Sequence, residues 1–124
     1  MTRARARAGF QVYFESSAPD RVATDGHLCT RTETDPVHVD ITVMDGDWSR
    51  TIRGQVIDAV FIVLCDALDV EAPPRSWWVT IRRIEDGSWG SRGSVTSIHD
   101  LLGIGVFSDA KIKAIRDAIP EPRA

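Results

Sequence analysis

Residues 37–43, VHVDITV, put Val37, Val39, Ile41 and Val43 on one side of an extended chain and His38, Asp40 and Thr42 on the other. A period of two marks a half-buried strand. Asp45-Gly46 then supplies a turn, and Ser49 can cap a helix because its hydroxyl accepts from a free N–H. The helix is predicted over residues 50–68. Ile52, Val56, Val60, Leu64 and Leu68 form a stripe at i, i+4, and Ile57, Phe61, Ile62 and Val63 widen it. Pro73 and Pro74 forbid its continuation. The segment SWWVTIRRI at 76–84 is rich in aromatic and β-branched residues and reads as a second strand, with Trp77, Val79 and Ile81 on one face and Trp78, Thr80 and Arg82 on the other. Two strands joined through a long helix make a β-α-β unit. Such a unit crosses over right-handed and sets its strands parallel.

The helix is more apolar than one sheet face can cover. It is either buried deep in the core or shared between its sheet and a subunit interface, and the second is the reading adopted. The chain has 124 residues, enough for one domain with its own core. A net charge of −3 argues against nucleic acid, whose phosphates need a basic surface. No run reaches the ~18 apolar residues of a membrane span, and residues 2–8 are too alternating for a signal peptide. Cys29 and Cys65 lack the spacing of a disulfide framework or a zinc site. Together these features lead us to expect a cytoplasmic protein with no membrane partner.

Outside this unit, residues 1–8 read as a disordered basic arm. Residues 9–16, GFQVYFES, alternate Phe10, Val12 and Phe14 against Gln11, Tyr13 and Glu15, a strand pattern. Residues 17–35 read as a loop, 85–93 as a glycine-rich hairpin or loop, and 96–102 as one or two helical turns. Residues 107–119 open on Ser108 as N-cap and form a short amphipathic helix through Ile112, Ala114, Ile115 and Ile119.

In order and spacing, MDGDWS (44–49), SWWVTIRRI (76–84), GSWGSRG (87–93) and TSIHDL (96–101) resemble the 4-oxalocrotonate tautomerase family. The resemblance spans about residues 36–102. It implies an α+β fold in which β-α-β units pair into a mixed four-stranded sheet, here with an added N-terminal strand and C-terminal helix. The expected organisation is therefore an N-terminal extension at 1–35, a tautomerase-like domain at 36–102 and a C-terminal helix and tail at 103–124. It also implies a homo-oligomer, a trimer or hexamer, and proton transfer on a small unsaturated carbonyl compound with no cofactor and no metal. In that family an N-terminal proline is the base, arginines hold the substrate carboxylate, and a ring in the G-x-[FW]-G loop keeps the site dry.

The match is not complete. Pro36 stands one place before the family's proline position, which falls on Val37. Its nitrogen follows Asp35 and is a tertiary amide, delocalised into the carbonyl and not basic. Asp47 stands where the family has an arginine after the turn glycine, and Trp78 where it has a second. Trp89 keeps the loop ring, but the residues after it are Ser91-Arg92-Gly93. The candidate catalytic residues are thus Pro36, should the chain be cut before it, and His38 with Asp40, a base and its orienting carboxylate. Trp78, Arg82, Trp89 and Arg92 are the candidate substrate-binding residues. His38 and Asp40 alone are too few for a metal site. The expected function is a tautomerase-type isomerase, acting by tautomerisation, isomerisation or cyclisation, with specialised metabolism as one setting. The alternative is a non-catalytic subunit that keeps the fold and binds a small molecule or another chain.

Overall fold

A computed structural model describes residues 10–18, 21–24, 26–28 and 36–121. The basic arm at 2–8 and Cys29 lie outside the described residues. The fold is α+β, with a small parallel sheet, a small antiparallel sheet and two helices. In chain order the elements are β1 (Ala23–Thr24), β2 (His27–Leu28), β3 (Val37–Met44), α1 (Arg50–Leu68), β4 (Trp77–Ile84), β5 (Trp89–Ser91), β6 (Ser94–Thr96), a 3-10 turn (Ile98–Leu101) and α2 (Asp109–Ala118). Contacts divide the chain into two compact units. One holds Tyr13–Ile41 and Arg50–Arg82; the other holds Met1–Val12, Thr42–Ser49 and Arg83–Ala124. Among the described residues, no helix is long and apolar enough to cross a membrane.

β3 and β4 pair as the parallel two-stranded sheet, with α1 between them in sequence. The valines and isoleucines of β3 are covered and its polar residues exposed, as the period of two requires. Helix α1 ends on Asp69 at φ 52°, while the Val70 N–H donates to the Cys65 carbonyl at 3.0 Å. This is the left-handed stop that satisfies a last-turn carbonyl. No residue of α1 is buried. A core helix sealed within one chain is therefore ruled out, and Ile62 and Val63 stay 63% exposed.

The second unit carries the small core. Ile98, Leu102 and Ile115 are buried, with Met44, Leu101, Phe107, Ile112 and Ile119 packed around them. Two features hold it. Asp86 accepts from the Ser97 hydroxyl at 3.0 Å and from the Ile98 N–H at 2.8 Å, while Asp100 accepts from the Ser97 N–H at 2.8 Å. These bonds satisfy the otherwise free donors at the start of the 3-10 turn. Second, the Met44–Asp47 turn needs its glycine. Gly46 has φ 88°, and a Cβ there would lie 2.6 Å from Ile119 Cδ1. Ser108 caps α2, accepting from the Lys111 N–H at 3.2 Å. β5 and β6 form an antiparallel hairpin with Ser91 opposite Ser94, overlapping the segment 85–93 predicted as a glycine-rich hairpin or loop and reaching three residues beyond it.

One expectation fails. Residues 10–18 form no strand, despite their alternation. Alternation shows which side chains would share a face. A strand exists only when a neighbour takes up its N–H and C=O groups. The segment predicted as loop instead contains the two-residue strands β1 and β2.

Candidate functional site

The polar face of the parallel sheet carries a hydrogen-bonded row. Because β3 and β4 run side by side, His38 and Asp40 fall opposite Thr80 and Arg82. His38 Nε2 lies 3.0 Å from Thr80 Oγ1, and the Thr80 hydroxyl donates to Asp40 Oδ1 at 3.0 Å. Arg82 Nη2 donates to the other carboxylate oxygen, Asp40 Oδ2, at 3.2 Å. A threonine hydroxyl has one hydrogen. With that hydrogen on Asp40, Thr80 accepts from His38, so Nε2 carries a proton. In the neutral ring the basic lone pair then resides on Nδ1. Asp40 fixes this polarity through Thr80, and Arg82 holds Asp40 in place. The row is a base, a relay hydroxyl, a carboxylate and a cation.

The row is exposed on a single chain. The Arg82–Asp40 ion pair sits in water, where such pairs contribute about 0–1 kcal/mol to stability. Trp78, two residues before Thr80 on the same face, is 64% exposed. Its indole N–H donates to the Arg75 carbonyl at 3.2 Å, which fixes the ring. Pro36 is half-buried, just before β3. His38, Asp40 and Arg82 are thus brought together, with Trp78 on their face. No third His, Cys, Asp or Glu joins them as a metal group among the described residues.

Trp89 and Arg92 belong to the other unit. Trp89 is half-buried on β5, and Arg92 is exposed at the hairpin tip with φ 55°. Asp47, in the turn before α1, is half-buried. Burial raises its pKa, against the lowering influence of Lys111 on α2. The sequence reading missed Thr80 as a site residue. Its place on the outward face of β4 was the available signal, but only the strand register puts it between His38 and Asp40. Compared with known proteins, the sequence matches no family model and no curated protein.

Proposed function

We propose that the chain is a divergent, homo-oligomeric member of the tautomerase superfamily that moves a proton on an unsaturated carbonyl compound without a cofactor. The His38–Thr80–Asp40–Arg82 row carries this reading, on a parallel β-α-β unit of the kind the family resemblance implies. His38 Nδ1 takes the α-proton, becoming imidazolium, and returns it to the oxygen or to the distal carbon of the conjugated system. Thr80 and Asp40 stabilise the charged ring. Arg82 spends one of its five N–H donors on Asp40, leaving others for a carboxylate or enolate oxygen. Trp78 offers a flat apolar wall to a conjugated substrate. These charges act strongly only when water is excluded. A neighbouring subunit over the sheet face would provide that exclusion.

The test is ketonisation of a small enolic 2-oxo acid, followed by loss of enol absorbance. We expect His38→Ala to lose about 10²- to 10⁴-fold in kcat/KM, and Pro36→Ala to retain most activity. The reverse pattern would mean that proline, freed by cleavage, is the base. The open position of the row favours a second reading, a binding subunit. No turnover of any enol, with tryptophan fluorescence quenched by aromatic carboxylates in the native chain and not in Trp78→Phe, would establish it.

A further inference from the structure

The residues before β1 and the sheet face beside β4 are complementary. Phe10, Val12, Tyr13 and Phe14 are 60%, 70%, 81% and 94% exposed, an unusual apolar display on one short segment. Among the described residues β4 pairs only with β3, so its other edge has no strand beside it. We propose that residues 10–15 of one copy add as a strand to the free edge of β4 in a second copy, by reciprocal exchange.

Three observations select this occupant. The first is pattern. As a third strand, Phe10, Val12 and Phe14 would extend the apolar face of Trp77, Val79 and Ile81. Gln11, Tyr13 and Glu15 would continue the polar face of Trp78, Thr80 and Arg82. The second is charge. In the parallel orientation Gln11, Tyr13 and Glu15 align with Trp78, Thr80 and Arg82, which sets Glu15 beside the Arg82 guanidinium. With the same residues paired in the antiparallel sense, Glu15 would stand beside Trp78 instead. The third is area. At about 200 Å² per aromatic side chain, the exposed parts of Phe10 and Phe14 amount to roughly 300 Å². Two exchanged segments with the surfaces they cover would bury roughly 1,200 Å², at the lower end of the range of stable specific interfaces.

This inference needs no catalytic activity, so it stands or falls separately from the proposed function. It is tested by light scattering on the full chain after size exclusion, with far-UV circular dichroism as the folding control. The unmodified protein should be multimeric at 50 µM. The triple variant Phe10→Ser, Val12→Thr, Phe14→Ser should dissociate at least tenfold more readily, with unchanged circular dichroism. Phe14→Ser alone, at a site almost wholly in solvent, should weaken association without unfolding the chain. Glu15→Arg, which would set two cations side by side, should weaken it as well. A monomeric native protein, or a triple variant that associates as tightly as the native one, would overturn the proposal.

Discussion

Asp47 shows how one residue sets a pH dependence. Its carboxyl is half-buried, and burial raises its pKa above the ordinary 3.8, partly opposed by Lys111. The folded state therefore holds this proton to higher pH than the unfolded state does. Between the two pKa values the native chain binds more protons, so stability falls as pH rises through that window. At neutral pH the ionised carboxylate remains a net cost. Asp47→Asn should thus stabilise the protein at pH 7. The gain should vanish near pH 3, where the acid is neutral in both states. Thermal unfolding at the two pH values checks this; an equal gain at both would assign the effect to shape. Gly46 beside it is constrained differently. With φ 88° and Ile119 against its α-carbon, Gly46→Ala should cost about 1–3 kcal/mol in urea unfolding, through backbone strain and overpacking together.

At the scale of elements, β3, α1, β4 and α2 were legible because each has a periodic apolar face. Helix α1 and its Gly-turn entry follow from residues 44–50 and the stripe from Ile52 to Leu68, and α2 follows from Ser108 and the spacing of Ile112 and Ile115. What was not legible depends on pairing. Residues 10–16 alternate as well as β3 does, yet form no strand, because alternation within a segment does not fix its pairing with another. Thr80 was invisible as a site residue for the same reason, since register lies between strands and not within one. The β5–β6 hairpin adds a local conflict. Its two-residue connection, Arg92-Gly93, has φ 55° and 80°, the mirror-image turn that prefers Asn-Gly or Gly-Gly. Arg92→Gly should therefore stabilise the chain by about 0.5–1 kcal/mol, read as a higher urea midpoint. A lower midpoint would show that the arginine side chain packs against the hairpin strongly enough to outweigh its backbone strain.

For the molecule as a whole, the apolar residues outrun the core. The sequence is 43% hydrophobic, yet the buried apolar residues among those described are Val43, Trp77, Ile98, Leu102 and Ile115. Helix α1 contributes none of them. Exposed apolar side chains forgo about 25 cal/mol for each Å² they leave in water. Ile52, Ile62, Val63 and Leu68 on α1 all do so, as do Phe10 and Phe14. Two contacts could cover them in an assembly, the exchanged segment on β4 and a second surface on α1, and they are separable by experiment. A chain stabilised by association unfolds at a temperature that depends on its concentration. The thermal midpoint should rise by about 2–5 °C for each tenfold increase in protein. Ile62→Lys with Val63→Lys should lower the midpoint at high concentration and flatten its slope, if α1 faces a neighbour. The same variant should change nothing if only the β4 edge is shared, because both residues are exposed in the single chain. A concentration-independent midpoint in the native protein would mean that the chain is stable with α1 uncovered. The row at His38 would then work in water, and the binding reading would gain over the catalytic one.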